Sequence, residues 1–405
     1  MNMHGIRRTK PVVIFVDGDP HALVTLERKL RDMRKNWDML FYAKAEETFA
    51  SLGDGPVDLV VADTHLRGIE GTAFFSRVAE IAPSALRFAL VDGKDSDAAL
   101  SYAGLCHQVL PKAERIERLL QKAQKALANR KLLPDEGAQS KVTRLRSLPA
   151  RAEVQEMLVR ELSGDPPSFE AIAALVSEDI ALTAKVLQIA SSGLFSADGE
   201  TPGLVTAVSR LGVQRVKAVV RGNEVERTCA EKFDDDSWIE ALWLHSAACA
   251  TICQTIAAVE WLDTKQVENA FVVGLLHDIG RLAMAASEPA LYREMLAGMA
   301  ASDSADGMRA ETQIFKAAHP QIGAYLIGLW GFSDDIVQAV AHHHTPGEGT
   351  SERADLLAIV HAAEAFSTFS DPAAALSALD ADYFRALGID GKPEEWLAAV
   401  NLLAA

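Results

Sequence analysis

Histidines in the second half of the chain keep company suited to chemistry: His245 in WLHSA, the adjacent pair His277-Asp278 in GLLHDIG, His319 in AAHPQIG, His342–His344 in AHHH, and His361 in IVHAAEAF. An ionised carboxylate in an apolar stretch is costly to bury unless something pairs with it. A metal ion or a close hydrogen-bond network relieves that cost, and imidazoles from several helices around one aspartate form a mixed nitrogen and oxygen site for iron, manganese or zinc. For a lone histidine such as His245 or His361, a hydrogen-bonded place in the core is the commoner outcome. The candidates therefore carry weight as a set. Near the start stand other chemically apt residues: Asp17 and Asp19 after VVIFV, Asp63 after DLVVA, and Lys112 after QVLP.

Two kinds of element must position these groups. From residue 11 to about 129, short strand-like runs (Val12–Val16, Met39–Ala43, Leu59–Ala62, Arg87–Val91, Gln108–Leu110) alternate with amphipathic segments. That alternation predicts a five-stranded parallel sheet covered on both faces. In such sheets the ligand crevice lies outside the carboxyl ends of the strands, where Asp17, Asp19 and Asp63 fall. The stretch PDEGAQSK reads as a hinge, and 131–143 as a linker. Beyond it the pattern is helix after helix: 150–163, 168–176, 179–191, 203–210, 212–228, 236–258, 265–284, 288–300, 308–316, 319–330, 333–343, 352–368 and a C-terminal pair near 372–386 and 393–404. The second part is expected to be all-α.

The stretches VVIFVDGDP, DLVVADTHLRGIEG and QVLPK resemble the signature segments of response-regulator receiver domains, over about 11–130. The resemblance implies a flavodoxin-like α/β fold, Asp63 as phosphoacceptor, Asp17, Asp19 and Asp63 around a magnesium ion, and Lys112 contacting the phosphoryl group. The chemistry is coherent, because an aspartate attacks phosphorus only when repulsion between anions is relieved. Three positions depart from the family pattern: Gly18 replaces the second adjacent acid, Val91-Asp92 stands where a Thr or Ser is usual, and Ala113 follows Lys112 in place of a proline. A receiver fold kept for dimerisation or docking is the competing reading.

The second part is similar to the HD superfamily of metal phosphohydrolases and more closely to its HDOD branch, through LRSLPARAEV, VSEDIALTAKVLQIASS and AVSRLGVQRVKAVV as well as the histidine segments. The resemblance spans 144–368 and leaves 369–405 as a helical extension packed on that domain. It implies His245, His277, Asp278, His319 and one of His342 or His343 as an intact or vestigial metal site, with His361 where catalytic relatives carry an aspartate. TPGEGTSE lacks the Gly-Tyr-Pro of the cyclic di-GMP phosphodiesterases. HDOD domains are regarded as signalling modules, so binding a protein or nucleotide-like partner is expected ahead of hydrolysis. The alternative is a metal-dependent phosphohydrolase acting on a cyclic or linear nucleotide, with His277 and Asp278 as ligands.

Bulk properties narrow the partners. With 56 acidic against 40 basic residues the net charge is −16, which argues against DNA, since phosphate-backbone binding needs clustered cations. Local spots at Arg144 with Arg146, and Arg215 with Lys217 and Arg221, could meet a small phosphate but read better as solvated faces. Four irregularly spaced cysteines suit a reducing cytoplasm, although His245, Cys249 and Cys253 share one helical face. No uninterrupted apolar run approaches a bilayer span of about 20 residues. Trp238, Trp243 and Trp330 read as packing anchors, and Asp234–Asp236 as a helix N-cap. The expectation is a cytoplasmic two-component protein that takes phosphate from a histidine kinase or other donor, with a homodimer through receiver helices as one arrangement.

Overall fold

The computed structural model describes residues 10–93, 98–114, 116–164, 167–196, 200–225, 237–299, 304–349 and 356–404. Cys229 and Asp234–Asp236 lie outside them. The N-terminal unit contains strands β1 (Val12–Val16), β2 (Asp38–Tyr42), β3 (Leu59–Asp63), β4 (His65–Leu66), β5 (Ile69–Glu70), β6 (Leu86–Val91) and β7 (Gln108–Pro111). Five form a parallel sheet in the order β2-β1-β3-β6-β7, and β4 pairs antiparallel with β5. Register sets Ile14 beside Val60 and Asp63 beside Leu90.

Side chains alternate along a strand, so each strand feeds two cores. Val13, Phe15, Leu59, Val61 and Phe88 join one core together with Leu23, Leu119 and Ala123 from the helices Pro20–Lys29 and Ile116–Ala128. Ile14, Val16, Val60, Ala62 and Ala89 join the other, with Leu52, Phe74 and Phe75 from Ala45–Asp54 and Gly71–Ile81. Burial on both faces explains why these strands read as near-continuous Val, Ile, Leu and Phe.

Beyond β7 the described residues hold helices and no strand. The segment expected as a linker is itself helical over Glu136–Thr143, because Asp135 Oδ1 accepts from Ala138 N at 2.8 Å and caps it. Its last residue, the buried Thr143, is pinned between the two parts of the chain. Its carbonyl accepts from His107 Nε2 at 3.0 Å and Arg87 Nη2 at 3.3 Å, and its hydroxyl lies 3.1 Å from Tyr325 OH. Gln108 Nε2 donates to Leu329 O, Gln188 Nε2 to His107 O and Lys125 Nζ to Phe332 O. The first sheet core runs without interruption into Leu133, Val142, Leu182 and Leu329.

Three other boundaries differ from expectation. The single helix expected over 265–284 is two, Thr264–Leu276 and Ile279–Ser287, broken at His277-Asp278. Between 203–210 and 212–228 the backbone turns at Gly212, whose φ of 73° favours glycine. The segment near 372–386 divides into Pro372–Ser377 and Ala381–Ala386, capped by Asp371 and Asp380. These and the helix Lys392–Ala404 pack on the rest of the helical part, with Trp396 1% exposed and its Nε1 donating to Glu260 Oε1 at 2.8 Å. Trp238–Val259 and Thr264–Ser287 are long and apolar enough to cross a membrane by length and composition, with mean hydropathy 1.4 and 1.3. The second of these is mostly buried within the helical core and carries the charged Asp278.

Candidate metal centre

The break at 277–278 aims the site. His277 ends one helix and Asp278, at φ −97° and ψ 9°, begins the next without using its carboxylate as a cap. Freed from capping, that carboxylate meets imidazoles from neighbouring helices. His319, the first residue of His319–Leu329, brings Nε2 to 2.9 Å from Asp278 Oδ1. His343, just past Asp334–His342, holds Nε2 3.4 Å from that of His319 and 3.9 Å from the same carboxylate oxygen. His344 completes this group. On the other side, Asp278 Oδ2 stands 3.9 Å from His277 Nε2, which lies 3.2 Å from both His245 Nε2 and Glu364 Oε2. His245 Nε2 is 2.8 Å from that glutamate. Two donor groups thus lie side by side: one formed by Asp278, His319, His343 and His344, the other by His245, His277 and Glu364, with Asp278 the member of the first that approaches the second.

The outer ring nitrogens fix these orientations. His277 Nδ1 donates to Gly274 O at 2.7 Å and His343 Nδ1 to Val340 O at 2.8 Å, while His319 Nδ1 bonds Glu311 Oε2 at 2.8 Å. Tying Nδ1 to an acceptor turns the Nε2 lone pair inward, which is how proteins present histidine to a metal. Burial opposes charge on Asp278, Glu364, His277, His319, His343 and His344, but the neighbours decide the outcome. Arg281, His319 and His277 hold Asp278 well below the usual carboxylate range, and His245 and His277 do the same for Glu364. Cys249, Asp278 and Glu364 hold His277 well above the ordinary imidazole value, and Glu311 and Asp278 raise His319. Burial and adjacent imidazoles depress His343, and push His344 down to about 4. Three carboxylates, Asp278, Glu311 and Glu364, are therefore balanced by protons on His277 and His319 together with Arg281, whose Nε lies 3.1 Å from Asp278 Oδ2 as an ion pair without aligned hydrogen-bond geometry. A dication could replace those protons. Neutral imidazoles with two carboxylates suit a first-row transition metal.

The structure brings together His245, His277, Asp278, His319 and His343, and leaves out two expected residues. His342 is outside both groups. His361 is spent on structure: its Nδ1 donates to His343 O at 2.7 Å and its Nε2 accepts from Asp380 N at 3.0 Å. One helical turn later Glu364 supplies the carboxylate that His361 seemed to replace. Glu364, Glu311 and Arg281 went unnoticed in the sequence, and His344 was noted there only as the end of the AHHH run. The charged residue Glu364 in the otherwise apolar IVHAAEAF was the readable signal. Neither metal group includes a cysteine; Cys249 and Cys253 are free thiols, Cys249 lying against His277 and hydrogen-bonded to Cys253. The Arg215 spot is used in packing, its guanidinium 5.2 Å from the Phe195 ring.

At the carboxyl ends of the strands, Asp17 and Asp63 are buried and Lys112 Nζ joins them, hydrogen-bonded to Asp63 Oδ2 and 3.2 Å from Asp17 Oδ2. Partial burial works against the Lys112 charge, yet these two aspartates raise its pKa. Asp63 Oδ1 also accepts from His65 N at 2.9 Å. Asp19 behaves differently: it is exposed and its Oδ1 accepts from His21 N at 2.9 Å as the cap of Pro20–Lys29. At Gly18 an added Cβ would sit 3.2 Å from His65 O, so the β4–β5 hairpin crowds the place of the missing second acid.

Comparison with known proteins finds a family match within the helical part. Residues 148–346 match the HDOD domain family. Curated relatives include ribonuclease Y of Pelobacter propionicus, 25% identical over 223 residues covering 54% of this chain and 32% of that protein. An uncharacterized protein of Treponema pallidum is 22% identical over 200 residues, covering 49% and 38%. The chain thus spans about a third of the length of the curated relatives it matches. Among solved structures, the MmoQ response regulator of Methylococcus capsulatus is 23% identical with a TM-score of 0.47, covering 62% of this chain and 98% of that one. A putative phosphohydrolase of Shewanella amazonensis is 25% identical with a TM-score of 0.35, covering 64% and 93%.

Proposed function

Starting from an HDOD domain preceded by a five-stranded parallel α/β unit, we propose that this chain is a signalling protein in which a receiver domain regulates a metal-binding HDOD output domain. The observation that carries the reading is the convergence of four Nε2 atoms and two carboxylates, with the Nδ1 atoms of His277, His319 and His343 held by acceptors behind them. The two donor groups lie side by side, so His277, His245 and Glu364 would hold one ion, and Asp278, His319, His343 and His344 a second. A bound transition metal supplies Lewis acidity to an oxygen ligand. Binding is favoured over turnover by enclosure: Asp278, His277, His319 and His343 have side chains at most 3% exposed, and solvent meets the donors through the half-buried His344, His245 at 24% and Glu364 at 16%. Elemental analysis of the purified chain is expected to find iron, manganese or zinc, lost in His277→Ala. No metal in the wild type, even after reloading, would remove this reading.

Hydrolysis of a nucleotide is a second reading, favoured by Arg281, which is 34% exposed beside Asp278 and could meet a phosphoryl oxygen. A nucleotide panel with manganese or iron, with Asp278→Ala as control, separates the two readings. For the N-terminal unit the proposal is that Asp63 accepts phosphate from a kinase or small phosphodonor, aided by magnesium at Asp17 and Asp63. Lys112 offsets one of the two charges of that pair and leaves the other for a cation, and the buried Thr143 joint would carry any rearrangement to the HDOD domain, whose partner would be a protein or a nucleotide.

A further inference from the structure

Where the sheet edge meets the helical domain there is a cleft that neither site uses. Its inner part, about 20 Å³, has apolar walls from Leu110, Ile189, Phe195 and Trp330. Through Gln108 and Lys122, which line both parts, it continues into an outer chamber of about 130 Å³. The inner part has room for little more than a water, whereas the outer one can take an anion of phosphate size.

Polar atoms around this cleft are unspent. Gln108 and Gln188 use their Nε2 groups across the domain joint, but Oε1 of each is buried without a hydrogen bond, as is Ser192 Oγ. Buried polar groups are almost always satisfied; those of Gln188 and Ser192 line the inner part alone and suit a water there, while Gln108 borders the outer chamber as well. The charges point to an anion in the outer chamber. Glu114 faces Arg118 at 3.7 Å, and Asp334 faces Lys125 at 3.0 Å, whose Nζ also donates to Phe332 O. Lys122 is left over: among the described residues its ammonium has no hydrogen bond or ion pair, and its charged neighbours are Glu114, Lys125 and Arg118. Desolvation lowers its pKa, the mark of a cation held where water solvates it poorly. Lys122 is half-buried, and the chamber sets Arg118, Lys122 and Lys125 against only Glu114 and Asp334, an excess of one positive charge that a bound anion offsets.

We propose that this interdomain cleft binds a phosphoryl group, as inorganic phosphate or as the phosphate end of a small phosphomonoester, with Lys122 as its principal cation and Arg118 beside it. A ligand there touches Lys122 of the α/β unit and the 192–196 turn of the HDOD domain together, so its occupancy stiffens the joint between them. The site is independent of the metal centre.

The test uses the full chain, with potassium phosphate or 5′-AMP titrated against KCl at constant ionic strength and followed by calorimetry and thermal unfolding. Wild type is expected to show saturable binding and stabilisation. Lys122→Met, which keeps the buried stem, is expected to weaken binding at least tenfold, to be no less stable than wild type without ligand, and to keep its metal content. If AMP binds at least tenfold tighter than phosphate, the ligand is a phosphomonoester; equal affinity identifies phosphate itself. Absence of saturable binding in wild type, or equal binding by Lys122→Met, overturns the proposal. So does a ligand-free Lys122→Met protein less stable than wild type, since its ammonium would then already be paired.

Discussion

Gly280 is the position where fold and site depend on each other most directly. It is the second residue of Ile279–Ser287, where that helix crosses His319–Leu329. A Cβ on Gly280 would lie 2.0 Å from His319 O and 2.8 Å from Gly323 N, both backbone atoms that cannot rotate away. Restoring an ordinary contact of 3.4 Å requires the helices to part by roughly 1.4 Å (3.4 − 2.0) at this crossing. Overpacking of this kind costs about 1–3 kcal/mol and sometimes more; with two backbone clashes, Gly280→Ala should stand at or above the top of that range. The same displacement separates Asp278 Oδ1 from His319 Nε2, now 2.9 Å apart. Metal affinity should then fall by about 10–100-fold, as it does when ligand orientation is lost. Denaturant unfolding of the metal-free protein and competition with a chelator measure the two effects. Gly298→Ala is the internal control, since nothing lies within 4 Å of its added Cβ, and helical Gly→Ala should stabilise by about 0.5–1 kcal/mol. If Gly280→Ala unfolds within 1 kcal/mol of wild type, or keeps its full metal affinity, the reasoning from helix contact to site geometry is wrong.

Other outcomes follow from particular residues. Glu364→Ala should lose metal from the His245 side, whereas His361→Ala should lower stability but keep the metal; equal metal loss in both would contradict the separation of their roles. His277 and His319 carry protons that a dication displaces, so binding should release about two protons and tighten about a hundredfold per pH unit while both remain protonated. Calorimetry in buffers of different ionisation enthalpy reads the number directly, and a value near zero would refute the charge balance. Burial raises Asp179 from 3.8 to about 6 against hydrogen bonds from Leu182 and Arg151 backbone amides. The folded state then binds the extra proton between those values, so stability should fall by about 3 kcal/mol as pH rises through that window, and Asp179→Asn should flatten the slope. Acetyl phosphate with magnesium should add one phosphoryl group to wild type and none to Asp63→Ala, by intact mass; no addition to wild type would mean the acidic pocket is structural.

Much of the fold was legible in local pattern. Strands buried on both faces left apolar runs such as VVIFV and LVVA, and the turn chemistry between them marked their ends to within a residue. Where a sequence signal has two meanings, local reading failed. In PDEGAQSK, proline, glycine and polar residues suggested a hinge, but Asp135 followed by Glu136 is equally a helix start, and contacts of Thr143 with His107, Arg87 and Tyr325 turned that helix into a joint. The break at His277-Asp278 was hidden because both flanking segments are apolar.

The sequence by itself determined the two-part architecture, the acidic pocket at the strand ends and the supply of histidines, because these rest on periodicity and on residue types that are costly to bury without a partner. Which of those histidines face one another was decided only by tertiary packing. Leu356–Thr368 is buried nearly all round, and a helix without a polar face carries no sequence mark of the side that meets the site. Its rotation against the neighbouring helices, set by packing along its whole length, spent His361 on the backbone of His343 and Asp380 and brought Glu364 to His245 and His277.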